Sequence, residues 1–175
     1  MAFVHLHVHT EYSLLDGSNK IREYVSRVKE LGQTAAAITD HGVMYGCIDF
    51  YKEALAQGIR PILGCEVYVS PGSRFDRDYA ASDDRYYHLV LLAENNRGYE
   101  NLMHIVSAGF TEGLYYRPRV DKELLSRYHE GLIALSACLA GEVPRHITMG
   151  DYEGAKKAAL EYRDMFGDGN YYLEL

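Results

Sequence analysis

Histidines stand at positions 5, 7 and 9, with Val4, Leu6 and Val8 between them. Successive side chains on a strand point to opposite faces, so this alternation predicts a strand over residues 3–9 with imidazoles on one side and aliphatics on the other. The aliphatic face can pack. The imidazole face cannot be left alone, because protonated rings repel and buried neutral rings without partners cost desolvation energy. Two arrangements satisfy it. One is a polar strand face of hydrogen-bonded histidines; the other is a divalent metal, for which neutral imidazole is the commonest ligand. Asp16, in the loop that follows, adds a carboxylate.

The rest of the chain alternates between strand and helix patterns. Residues 10–19 form a loop with an Asp16-Gly17 turn, and Ser18 is a candidate N-cap. Ile21, Tyr24, Val25, Val28 and Leu31 keep helical spacing up to Gly32. A short strand over 35–39 leads into Asp40-His41-Gly42. A second helix spans 45–57, with Ile48, Tyr51 and Leu55 expected inward and Gly58 as its stop. Residues 59–69 read as a strand and the polar stretch 70–85 as a mobile loop. A strand over 87–93 and a helix over 95–108 follow, the latter with Tyr99, Leu102, Met103 and Val106 inward. Residues 113–120 are irregular, 121–128 a short helix, 132–136 a strand, 151–166 a helix and 171–175 a strand. Such alternation implies βαβ units, a parallel sheet and an α/β barrel whose chemistry sits at the strands' C-terminal ends.

A chain of 175 residues, 47% apolar and 25% charged, is long enough for one domain with a real core. Its net charge of −7 excludes a generic basic nucleic-acid face, so any DNA contact must be local. Three widely spaced cysteines, 47, 65 and 138, argue against a disulfide framework and for a reducing, cytoplasmic setting. No signal peptide or membrane-spanning stretch is visible.

Candidate ligands fall at strand ends: His7, His9, Asp40-His41, Glu66, His88 and Cys138. His5 shares their face but lies nearer the strand's start, so a hydrogen-bonded role in the core is expected for it. Each has an alternative. Asp40 can cap a helix, Glu66 can pair with a cation, His88 can be a satisfied core histidine, and Cys138 can be a small buried hydrophobe. Arg117 and Arg119 can hold phosphate or belong to a solvated loop. The metal reading gains from one ligand type recurring at successive strand ends.

In order along the chain, HVHTEYSLLDG, ITDHGVMYG, GCEVYV, YYHLVLLAEN and LSACLAGE resemble the PHP (polymerase and histidinol phosphatase) family. The likeness is strongest to the form at the N-terminus of bacterial DNA polymerase III alpha subunits, and it includes GYENLMHIVSAGF and YYRPRVDKELL. It implies a distorted seven-stranded β/α (TIM-like) barrel with up to three divalent metals, zinc, manganese or iron, at the strands' C-terminal ends. His7 and His9 would hold the first metal, with Glu66 bridging to a second held by Glu66, His88 and Cys138. Asp16 and His41 would hold the third. Asp40 and His5 would stand behind these ligands, and Arg117 and Arg119 would bind phosphate. The family closes its cluster with a late Asp-x-His pair, whereas this chain ends at YYLEL, so residues 1–175 are expected to be the N-terminal part of the domain, without the closing strands or the polymerase core.

The implied activity is metal-dependent phosphoester hydrolysis, with 3′–5′ exonuclease proofreading as its form in a DNA-directed DNA polymerase active in DNA replication. The implied partners are a primer 3′ end, the rest of the polymerase and replisome subunits such as the sliding clamp. Two alternatives remain: a structural scaffold within the polymerase, and a free-standing phosphatase acting on a small phosphorylated metabolite.

Overall fold

The computed structural model describes residues 3–14, 16–77 and 86–175. Its helices are α1 (Ile21–Glu30), α2 (Cys47–Gln57), α3 (Asn96–Thr111), α4 (Lys122–Tyr128), α5 (Glu142–Thr148) and α6 (Tyr152–Phe166). Its strands are β1 (Ala35–Ile38), β2 (Arg60–Val69), β3 (Tyr87–Ala93), β4 (Leu114–Tyr115), β5 (Arg117–Val120), β6 (Leu132–Leu135) and β7 (Tyr171–Tyr172). No helix among the described residues is long and apolar enough to cross a membrane.

Local chemistry accounts for most boundaries. Asn95, Asp121 and Asp151 cap α3, α4 and α6 by accepting from the amides of Gly98, Leu124 and Gly154. Ser18 is not the cap of α1. The chain stays extended through a Thr10–Asn19 bridge, and Glu11 accepts from the Ile21 amide instead. In α2 the buried face is Cys47, Phe50 and Ala54, while Ile48, Tyr51 and Leu55 are exposed. A one-residue offset in reading the helix turns it by about 100°, which is enough to exchange the two faces. In α3 Leu102 is buried as expected, whereas Met103 is exposed and Ile105 is buried in its place. Helix α5, absent from the sequence reading, tolerates Pro144 because it lies in the first turn.

Among the described residues the strands form one seven-stranded sheet in the order β4-β5-β2-β3-β6-β7, with β1 also paired to β2. The sheet is mixed, not parallel: β2/β3, β3/β6 and β4/β5 are antiparallel, and β1/β2, β2/β5 and β6/β7 parallel. The expected parallel ladder fails first at β3, which pairs with β2 antiparallel. Nor do the two ends of the sheet pair into a closed barrel among the described residues.

The expected strand over 3–9 is not formed either. The carbonyls of His5 and Val8 accept from the amides of Ala37 and Thr39. Three residues on one side thus oppose two on the other, and this extra residue breaks the ladder as a bulge does.

Odd-numbered residues of β2, Cys65, Val67 and Val69, pack with Leu89, Leu91, Leu102 and Leu125 beneath α3 and α4. Even-numbered ones face the opposite side, where Ala37, Val90, Leu92 and Leu135 gather. Glu66 is opposite Val90 in the register and so enters that side. Of the expected loop, residues 70–77 are described and hold a buried Arg74 bonded to Asp121, Glu112 and Glu123; residues 78–85 lie outside the described residues.

Candidate metal centre

Glu66 is the hub. It is fully buried, and its β2 backbone is held from the neighbouring segment: the Glu66 amide donates to the Asp40 carbonyl, and the Gly42 amide donates to that of Glu66. Gly42 has φ +65°, and a Cβ there would come within 2.9 Å of Pro118 and Tyr68, so the turn beside His41 requires glycine.

Four imidazoles surround the Glu66 carboxylate. Oε1 lies 3.1 Å from His7 Nε2 and 3.0 Å from His88 Nδ1. Oε2 lies 3.9 Å from His9 Nε2 and is in close contact with His41 Nδ1. On the far side of His41, Nε2 is 2.9 Å from Asp16 Oδ2. Cys138 is exposed, with Sγ 3.7 Å from His88 Nδ1. It is turned that way by Ala137, whose φ of 61° is unusual for a residue with a side chain. His7, His9, Asp16, His41, Glu66, His88 and Cys138 therefore meet in one place.

The rings are oriented from behind. His9 Nδ1 is 2.8 Å from the Thr39 carbonyl, which leaves Nε2 toward Glu66. Asp40, 1% exposed, accepts from the Thr10 amide, the Thr10 hydroxyl and the Ser13 hydroxyl, and Ser13 Oγ accepts from the His41 amide. Asp40 thus fixes the loop that carries His9 and Asp16 against the segment that carries His41.

Glu174 was missed in the sequence. Its Oε1 is 2.7 Å from His7 Nδ1, and its amide donates to Ser136 Oγ. The available signal was the one used for Glu66: a carboxylate at the end of an otherwise apolar strand, here in YYLEL.

Two expectations fail. His5 is exposed and stands edge-on to Phe3, not in a buried core position, because the bulge displaces it from the face of His7 and His9. Arg119 is fully buried and donates to the carbonyls of Gly113, Arg74 and Asp76. Its donors serve the protein backbone, so it is not a phosphate ligand. Arg117 is exposed, with its guanidinium 5.6 Å from the centre of the Tyr68 ring.

Electrostatics follow from this crowding. Burial opposes the charged Glu66 carboxylate, but His41, His7 and His88 outweigh it and hold the group far below the usual carboxylate range. Burial also opposes protonation of His7, yet Glu174 and then Glu66 raise it to about 9. His41 is raised by Glu66, and His9 is lowered by burial and by His41. Glu66 Oε2 and His41 Nδ1 are buried and face each other without hydrogen-bond geometry; neither has another hydrogen-bond partner among the described residues. Two triads, His7–His9–Glu66 and His41–Glu66–His88, each bring their donor atoms within 4.8 Å of one another. Imidazoles sharing one carboxylate, with orphaned donor atoms between them, are a donor set that suits divalent first-row cations.

Comparison with known proteins agrees with this geometry. The chain is 51% identical to the DNA polymerase III subunit alpha of Treponema pallidum, 47% to that of Borreliella burgdorferi and 46% to that of Aquifex aeolicus. These alignments cover 100%, 99% and 99% of this chain but about 15% of each relative's length. Among solved structures, an amidohydrolase from Chromobacterium violaceum matches with a TM-score of 0.52 at 15% identity, covering 98% of this chain and 85% of that one. That likeness shows a shared mixed α/β fold. The family model described as "PHP domain" matches residues 5–175, and the chain belongs to the PHP domain family.

Proposed function

We propose that this chain is the N-terminal part of the PHP domain of a bacterial DNA polymerase III alpha subunit, with a metal-dependent phosphoesterase site that trims nucleotide 3′ ends in the 3′–5′ direction. The observation that carries the reading is one buried carboxylate, Glu66, shared by two histidine triads. The polymerase context rests on relatives that match over essentially the whole chain. A PHP-type barrel, a cytoplasmic setting and contacts with the rest of the polymerase, DNA and replisome subunits such as the sliding clamp belong to the same reading.

His7, His9 and Glu66 would hold one cation. Glu66 and His88, with Cys138 at the rim, would hold a second, and His41 with Asp16 a third; zinc, manganese or iron would each suit the mixed donors. Such cations supply Lewis-acid polarisation of a phosphoryl oxygen and a more acidic water. The protein's own part is positional. Thr39, Glu174 and the Asp40 network aim the rings, and Glu66 keeps its charge because the histidines hold it. Arg117 supplies a cation at the rim for the scissile phosphate, in a chain whose net charge is −7.

The test is hydrolysis of a 3′-unpaired oligonucleotide by the full natural polypeptide that contains this chain, with metal content measured in parallel. His9→Ala should lower metal content and abolish trimming while polymerisation persists. Trimming that survives in His9→Ala would sink the proposal. A scaffold role is a second reading, favoured by the way the cluster joins residues 7, 41, 66, 88 and 174. It predicts that metal removal lowers the melting temperature of a protein that never trimmed DNA.

A further inference from the structure

We infer that the tip of the β4–β5 hairpin, with Tyr68 and Tyr86 between it and the metal centre, stacks the unpaired base at a nucleic-acid 3′ end. The inference rests on the phosphoesterase reading above and adds how a chain without a basic face would hold such a substrate.

The first observation is a strained aromatic residue. The register pairs Leu114 with Pro118 and Tyr115 with Arg117, which places Tyr116 at the apex. Its φ is 61°, a conformation in which glycine or asparagine is the comfortable choice. Tyrosine stands there instead, 70% exposed, with Tyr115 edge-on at 4.6 Å between ring centres. A largely exposed ring on strained backbone is placed where a ligand can reach its face.

The second observation is continuity with the ligands. Arg117 follows Tyr116 and lies over Tyr68, whose ring meets that of Tyr86 edge-on at 4.9 Å. Tyr68 is stacked at 6.3 Å from His41 and edge-on at 5.3 Å to His88, and Tyr86 is stacked at 6.0 Å from His88. The hairpin's base is fixed, because Pro118 abuts Gly42 and the buried Arg119 holds three backbone carbonyls. The tip thus keeps a set place relative to His41. Aromatic faces with a neighbouring arginine bind single strands regardless of sequence, since every base offers a π-face.

The experiment uses the full natural polypeptide and DNA oligonucleotides ending in an unpaired 3′ nucleotide. With 4-thiothymidine at that end and metal chelated, irradiation should cross-link the peptide containing Tyr116; cross-links solely to other peptides would overturn the inference. In the hydrolysis assay, Tyr116→Asn should raise KM about tenfold, within the range of losing one stacked base, and leave kcat unchanged. The melting temperature should hold or rise, because asparagine relaxes the backbone. Tyr116→Phe should behave like the parent. An oligonucleotide ending in an abasic sugar should show the same KM in all three proteins. An equal KM rise on normal and abasic ends, or none on either, would reject stacking. Absence of trimming in the parent would defeat the phosphoesterase reading and leave the cross-link to decide the stacking site.

Discussion

His7 and Glu174 lie 167 residues apart in sequence, yet His7 Nδ1 is 2.7 Å from Glu174 Oε1. The contact ties the segment before the first strand to the one after the last. It also leaves His7 Nε2 pointing at Glu66, because a hydrogen bond at one ring nitrogen fixes what the other offers. Glu174→Ala should therefore weaken metal binding about 10–100-fold, the usual consequence of losing such an outer partner. Glu174→Gln keeps an acceptor for the Nδ1 proton and should retain most of the affinity. Titration with zinc or manganese checks both variants, and equal losses in the two would mean that charge, not orientation, is what Glu174 provides.

Glu66 carries the largest stability consequence. Glu66→Gln in metal-free protein removes the one negative charge that four buried or half-buried imidazoles share. Breaking a buried pair from one side costs about 3–5 kcal/mol, because the remaining charge stays buried without its partner. Chemical denaturation in the presence of chelator should show a loss of that order. An unchanged midpoint would mean that the histidines carry no charge in the folded protein.

The same groups set a pH dependence. His7 rises from 6.5 to about 9 on folding, so its contribution is complete below about pH 6.5 and is lost as pH climbs through 9. Glu66 is depressed from 4.5, so its contribution is present above about pH 4.5 and is lost as pH falls below that. His9 is lowered from 6.5 and resists protonation in the folded state, which adds to the acid-side loss. Metal-free protein should accordingly be most stable near pH 6.5, losing the contributions of His7 and His41 above it, that of His9 below it, and that of Glu66 below about 4.5. Metal requires the rings deprotonated, so the stabilisation it adds should grow from pH 6.5 toward 9. Melting curves across pH, with chelator and with metal, test the crossing of these two trends.

The parts of the centre that were readable in sequence are those fixed by short-range pattern. The spacing of His7 and His9 and the costly carboxylate of Glu66 in an apolar strand each state a local problem that a metal resolves. What stayed hidden depends on long-range placement. The bulge that carries His5 out of line arises from pairing with β1, thirty residues on. The antiparallel course of β3 is set by its pairing with β2 and β6, which no local pattern records. Arg119 reads like Arg117 in sequence, and only the carbonyls converging from residues 74, 76 and 113 make it structural. The face of α2 was misjudged because Ile48, Tyr51 and Leu55 form as regular an apolar stripe as Cys47, Phe50 and Ala54.

The two arginines of β5 give the last prediction. They are two residues apart, but Arg119 is wholly enclosed and spends its donors on backbone carbonyls, whereas Arg117 is exposed beside Tyr68. Arg119→Met removes a buried guanidinium and one of the two donors to each of three backbone carbonyls, which keep the Arg119 amide or Arg77 as partner, so the variant should lose roughly 1–3 kcal/mol of stability. Arg117→Met changes an exposed side chain and should stay within about 0.5 kcal/mol of the parent. Phosphate competition should separate them in the other direction. Inorganic phosphate or an oligonucleotide end should bind more weakly to Arg117→Met, with the fold intact. Arg119→Met, assayed well below its melting temperature, should bind as the parent does. If Arg117→Met unfolds the protein while Arg119→Met weakens phosphate binding at full stability, the roles assigned to the two side chains are reversed.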